Sequence, residues 1–187
     1  MKTLRSSWKK QLSQALTTLA VQRPPSKPDL ASQPQRQPLR LALVGLGNEL
    51  DGDDAAGVLV ARRLMPLAAP HRLILDVGPA PENFTGPLRR FAPDFVLLVD
   101  AAHLNQPPGT IAYVDWQDVD GLSASTHSLP PSVFANFLIS QLNCQVGLLV
   151  IQAAHLQFDQ PPSPAVQRAV QRITAGLSDL LTQIPAA

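Results

Sequence analysis

The chain predicts a three-layer α/β domain around a mostly parallel sheet, and three observations carry the prediction. From residue 39 onward, short apolar runs alternate with stretches of helical spacing. One run, FVLLVDA at 95–101, is apolar until its last residues, as a strand covered on both faces must be. The length, 187 residues with 45% hydrophobic, is ample for a real core. Charged residues make up only 16%, against about 25% in an average globular chain. No run of about 18 apolar residues exists, which argues against a spanning helix. A single cysteine, Cys144, excludes a disulfide scaffold and a thiolate metal cluster.

In chain order, residues 4–20 place Leu4, Trp8, Leu12, Leu16 and Leu19 on one stripe of an amphipathic helix, with Lys9 and Lys10 beside it. Ser13, Gln14, Thr17 and Thr18 interrupt the stretch too often for a secretory signal, so a cytoplasmic protein is expected. The helix either folds back on the domain or docks on a membrane surface or partner, with Trp8 as the docking residue. Residues 22–38 hold five prolines and four glutamines and read as an extended linker. A strand follows at 39–45, then a helix at 53–64, a strand at 71–78 and a short helix at 81–91. After the strand at 95–101 come an alternating edge strand at 110–116, a helix at 130–142, a strand at 145–152 and a closing helix at 163–184.

Net charge is +1, but residues 1–40 sum to +7 and the remainder to −6. The near-neutral total argues against a dedicated nucleic-acid binder. The acidic side chains gather where the first strand turns into the first helix, as Gly45-Leu-Gly-Asn-Glu-Leu-Asp-Gly-Asp-Asp-Ala-Ala-Gly57. In open α/β sheets ligands collect at the carboxyl ends of strands. A dinucleotide site fails there, because position 50 is leucine where the fingerprint needs glycine. Glu49, Asp51, Asp53 and Asp54 also occupy the place of a pyrophosphate. Carboxylates on a turn suit a cation better. Asp53 directly precedes the helix and reads as its N-cap; Asp54 is the better candidate for a projecting carboxylate. Asp100 ends its strand at the same sheet edge, where an unpartnered carboxylate costs several kcal/mol on the scale of ~2–7 kcal/mol for a buried polar group. His127 stands in STHSLPP, before a proline-started helix. Each has an ordinary alternative, Asp100 as a turn cap and His127 as a solvated loop residue. Together they would make an open N/O metal site.

These residues in this order resemble the hydrogenase maturation proteases. The family's G-x-G-N-x-L-x-x-D-[DE]-x-x-G stands complete from Gly45 through Asn48, Leu50, Asp53 and Asp54 to Gly57. PENFTGPLRRF (81–91), the V-D-A at 99–101, PGTI (108–111) and STHSLP (125–130) match further, and FDQPPSPAVQ (158–167) matches loosely. The N-E-L wording is most similar to the branch serving hydrogenase 3-type enzymes. The resemblance covers about residues 39–184 and implies one α/β domain with a five-stranded sheet. It further implies metal-contacting and catalytic roles for Asp54, Asp100 and His127. The implied partner is a nickel–iron hydrogenase large-subunit precursor, and the implied activity is removal of its C-terminal extension. Nickel is implied as a passenger of the precursor rather than a resident cofactor. A monomer is expected. The chain departs from the pattern after the strand at 145–152, where Gln152-Ala-Ala154-His155 replaces a glycine- and proline-containing turn, Asp159 a glycine and Pro162 a leucine. Substrate specificity is therefore expected to differ there.

Chemically, a metal held by Asp54, Asp100 and His127 would activate water and polarise the peptide carbonyl; a carboxylate pair sharing a proton is the other route. No G-x-S-x-G or H-E-x-x-H is present. Cys144 reads as a structural residue; of the spare histidines, His103 could replace His127 as a ligand only if the loop bearing His127 folds away, and His155 reads as part of the altered loop. The competing classes are a catalytically silent module that binds a nickel-loaded subunit, and a nucleotide-binding α/β protein.

Overall fold

Four parallel strands, β1 (Leu41–Leu46), β2 (Arg72–Gly78), β3 (Phe95–Ala102) and β5 (Gln145–Gln152), are joined by an antiparallel edge strand, β4 (Ile111–Asp115). Their order in the sheet is β2-β1-β3-β5-β4. The computed structural model describes residues 7–22, 38–115 and 131–183. Alternate residues of β1, β3 and β5 feed two separate apolar layers, which is why these strands read as continuous apolar runs. Leu41, Leu43, Phe95, Leu97, Val99, Leu149 and Ile151 face one layer, with α1 (Trp8–Gln22), α2 (Ala56–Leu64) and α5 (Pro164–Gln183). Ala42, Val44, Val96, Leu98, Val146 and Leu148 face the other, with α3 (Thr85–Phe91) and α4 (Pro131–Leu142). At about 1.5–3 kcal/mol per buried large apolar side chain, these two layers drive the fold. The sequence-based fold class, edge strand included, is what forms.

The helix at residues 8–22 folds back on the domain. Trp8, Leu12 and Leu16 are buried in the layer of α2 and α5. A side chain at Gly176 of α5 would collide with the Trp8 ring, so that glycine makes the seat for it. Lys9 pairs with Asp179 at 2.8 Å, an exposed contact worth little beside the apolar burial. Residues 23–37, most of the proline-rich linker, lie outside the described residues. Among the described residues no helix is long and apolar enough to cross a membrane.

The order of the sheet decides where a site can form. From β1 the chain leaves through α2 to β2 on one side. From β3 it leaves toward β4 and β5 on the other. The crevice at the carboxyl ends of β1 and β3 is thus the topological switch point. Gly57 lets α2 descend onto it, since a Cβ there would strike the carbonyl oxygens of Val99 and Leu46. Asp54, just before α2, is thereby brought down to the end of β3, where Asp100 sits.

Asp53 requires a correction. It is not the cap of α2: a 3-10 turn at Gly52–Ala55 starts the helix earlier, and neither that turn nor α2 has a side-chain cap. Instead the fully buried Asp53 carboxylate clasps a distant part of the chain. Oδ2 accepts from the Ala154 amide at 2.6 Å, the His155 amide at 3.2 Å and the Ser163 hydroxyl at 3.0 Å. Oδ1 accepts from the Ser163 amide at 2.5 Å. Ser163 in turn caps α5, its hydroxyl accepting from the Val166 amide at 3.3 Å. The loop after β1, the loop after β5 and the start of α5 therefore hang on one carboxylate.

Hydrogen bonds to a charged acceptor contribute roughly 1.5–3 kcal/mol each, with imperfect additivity. Replacing Asp53 with alanine is expected to lower unfolding free energy by about 3–5 kcal/mol in urea titrations, the range of a broken buried network; a loss below about 1 kcal/mol would contradict the clasp. Trp8→Ala is expected to lower stability by about 3 kcal/mol in the same assay, through the lost ring and the space left over Gly176. An unchanged midpoint would mean that α1 adds nothing to the core.

Candidate active site

The acidic turn is held by its own backbone. Gly47 adopts φ 119°, and a Cβ there would fall on the Asp54 carbonyl oxygen, so the chain doubles back only through glycine. The Asn48 amide, freed by that turn, donates to Asp54 Oδ2 at 2.7 Å. The Asn48 side chain donates to Asp51 at 2.7 Å and accepts from the Leu50 amide at 3.1 Å, closing the loop on itself. An amide that a phosphate would need is thus already occupied by an internal carboxylate, which supports the charge argument against a nucleotide site. Glu49 turns away to Arg62, at 2.5 Å, and Arg62 also holds Asp76 at 2.6 Å.

Asp54 and Asp100 are brought together across the switch point. Both are buried, Asp54 at 6% exposure and Asp100 at 9%. Asp100 Oδ1 accepts from the Ala101 amide at 2.8 Å. Burial raises the Asp100 carboxyl to about 8, helped by the negative charge of Asp54 and opposed by the Ala101 hydrogen bond. Asp54 is raised too, by burial first; the Asn48 amide opposes this and the Asp51 charge adds to it. The charges acting on the pair from the described residues are acidic, Asp51 on Asp54 and Asp54 on Asp100. Such a pair holds a proton at neutral pH or attracts a cation.

His127 falls within 116–130, outside the described residues. Among the described residues no three His, Cys, Asp or Glu side chains form a metal-binding group. Asp54 and Asp100 offer two oxygen donors to a metal, and His127 remains the expected third. His103 lies exposed just beyond β3. Cys144 is buried, with its thiol pushed up to about 11 by burial, a structural residue as expected.

Sequence reasoning missed the reach of the altered loop into the site. Asp51 forms a β-bridge with Gln160, the Asp159 amide donates to the Leu50 carbonyl at 2.7 Å, and the Asp53 amide donates to the His155 carbonyl at 3.2 Å. Asp159 adopts φ 57°, a conformation that glycine takes freely and aspartate tolerates. The signal was present in the pattern itself, where a glycine precedes the S-P pair.

A family model described as HycI, hydrogenase maturation protease, matches residues 58–179. The hydrogenase 3 maturation protease of Escherichia coli strain K12 is 31% identical over 139 residues, covering 70% of this chain and 86% of that protein. The crystal structure of the NiFe hydrogenase maturation protease HycI from Thermococcus kodakarensis KOD1 aligns with a TM-score of 0.71 at 33% identity, over 78% of this chain and 94% of that one. The solution structure of the endopeptidase HycI from Escherichia coli aligns at 0.63 and 30% identity, over 73% and 88%. With the acidic motif folded into a buried carboxylate pair at the switch point, and these similarities spanning most of the domain, the chain belongs to the hydrogenase maturation protease family, whose members are hydrolases.

Proposed function

We propose that this protein is the endopeptidase that removes the C-terminal extension of a nickel–iron hydrogenase large-subunit precursor after nickel insertion, and that it recognises the nickel carried by the precursor. The observation that carries the reading is the buried Asp54–Asp100 pair, whose described electrostatic neighbours are acidic. Two carboxylates buried side by side cost stability unless a cation or a reacting group meets them. Nickel accepts oxygen and nitrogen donors, and Asp54, Asp100 and His127 are the donors this chain would offer. Bound there, the ion would act as a Lewis acid toward water or the peptide carbonyl.

The chain's own residues contribute the rest. The Asn48 amide holds Asp54 in place on a turn that Gly47 allows. On the carboxylate-pair route, where Asp100 holds no metal, its raised proton affinity suits it to hold a proton near neutral pH and pass it to the leaving amine. The Asp53 clasp keeps both loops from opening as the peptide enters. A silent binding module would share every one of these contacts and differ only in leaving the precursor's mass unchanged.

Asp54→Asn and Asp100→Asn are each expected to slow processing of the nickel-loaded precursor by more than about a hundredfold, within the range for lost acid–base groups. Intact-mass kinetics measure this, with circular dichroism confirming the fold; full-rate cleavage by either variant would remove the assignment. Stability carries a separate signature. A carboxyl whose folded pKa is raised favours folding below its unfolded value, and that contribution is lost as pH rises to the folded value. For Asp100 the window runs from its ordinary value of 3.8 to about 8. Asp100→Asn is therefore expected to melt higher than the wild type at pH 8, with the gap narrowing toward pH 4. A gap that widens on acidification would reverse the sign and contradict the buried-carboxyl description.

A further inference from the structure

Five large apolar side chains are markedly exposed among the described residues. Val21, Met65 and Val133 stand apart on α1, on the turn after α2 and on α4. Isolated apolar residues of this kind need no account. Leu50 and Phe158 are different. Leu50 is 51% exposed on the loop that ends in Asp54, and Phe158 is 71% exposed on the loop after β5. The Asp159 amide donates to the Leu50 carbonyl, and Asp51 bridges to Gln160, so the two apolar residues ride on neighbouring strips of backbone. The buried Asp53 anchors both strips from beneath through Ala154, His155 and Ser163. An exposed phenylalanine beside a left-handed Asp159 is therefore presented by a braced loop. Each apolar residue is followed directly by a carboxylate, Asp51 after Leu50 and Asp159 after Phe158.

We infer that Leu50 and Phe158 form an apolar lip that docks a segment of the precursor, an extended peptide bearing an apolar side chain next to a cationic one. The inference rests on the proposed processing function and specifies how that substrate is gripped. The lip is continuous with the active site, since Leu50 lies four residues before Asp54 on the same turn. Its carboxylates, and the net charge of −6 over residues 41–187, complement a cationic neighbour. Apolar burial supplies affinity at the lip, and the exposed Asp159 carboxylate, with the half-buried Asp51 beside it, supplies orientation and salt dependence. The hydrocarbon side chains of Leu50 and Phe158 carry no group that can move a proton or hold an ion, so their role is specificity and not chemistry.

The test measures both binding and processing of the nickel-loaded precursor by the full chain. Leu50→Ser and Phe158→Ser are each expected to raise the Kd and the KM about tenfold while kcat and the melting temperature stay near wild type, a loss in the range of one interface anchor. Val21→Ser, on α1, serves as the control for an exposed apolar residue and should change neither constant. Wild-type Kd should rise several-fold between low and physiological salt, and Asp159→Asn, which keeps the left-handed backbone accessible, should flatten that rise. Lip variants whose Kd and KM stay within about twofold of wild type would overturn the lip, whatever the cleavage rate. Wild-type binding without any cleavage would instead remove the processing function and leave the lip to be judged by Kd alone. Wild-type failure to bind the precursor would overturn both.

Discussion

One buried carboxylate organises the carboxyl edge of the sheet. Asp53 accepts four hydrogen bonds from Ala154, His155 and Ser163, which lie 101 to 110 residues further along the chain. A charged acceptor in the interior is tolerable because every donor that meets it is fixed by backbone or by a helix cap. Remove it, and the start of α5 loses its bonds to this carboxylate. The turn bearing Asp54 and the loop bearing Phe158 then keep only their backbone contacts, Asp53 to His155, Leu50 to Asp159 and Asp51 to Gln160. The neighbouring Asp54 accepts the Asn48 amide and lies close enough to Asp100 for their charges to interact. Two adjacent aspartates thus differ in their surroundings, one saturated with donors and one paired with a second carboxylate.

That difference also explains the electrostatic character of the site. Asp53 is saturated with donors, whereas Asp54 and Asp100 each have one amide opposing their burial and a neighbouring carboxylate adding to it. Folding therefore works against the ionised form of this pair, a local conflict of the kind that concentrates at functional sites. Gly57 makes the conflict unavoidable by admitting α2 so close to β3. The stability of the surrounding sheet, with Val96 to Val99 almost wholly buried, holds the pair in place despite it.

Much of this was legible in the chain. The apolar runs at 95–101 and 145–152 became β3 and β5 because a strand covered on both sides leaves no room for alternation. The alternation at 110–116 marked β4 as an edge. Asp54 was identifiable as a carboxylate at the start of the helix after β1 and Asp100 as one ending a strand, and the fold does place them at one edge. Asp53 was misread, because a carboxylate just before a helix looks like a cap until the partners 101 to 110 residues away are known. The contact between residues 50–53 and 155–160 was invisible for the same reason: it is long-range, and no local periodicity encodes it. The amphipathic stripe of α1 was clear, but what it covers depended on Gly176, a small residue whose meaning appears only when Trp8 sits over it. His127 belongs to the stretch outside the described residues and stays an expectation.

The central claim is that the Asp54–Asp100 crevice acts on a precursor whose nickel is already in place. The most direct measurement is the intact mass of a hydrogenase large-subunit precursor, nickel-loaded and nickel-free, after incubation with the wild-type protein. The account predicts loss of a C-terminal peptide from the loaded form alone. Equal trimming of both forms would contradict recognition through nickel, and an unchanged mass for both, with the complex formed, would contradict the proposed cleavage.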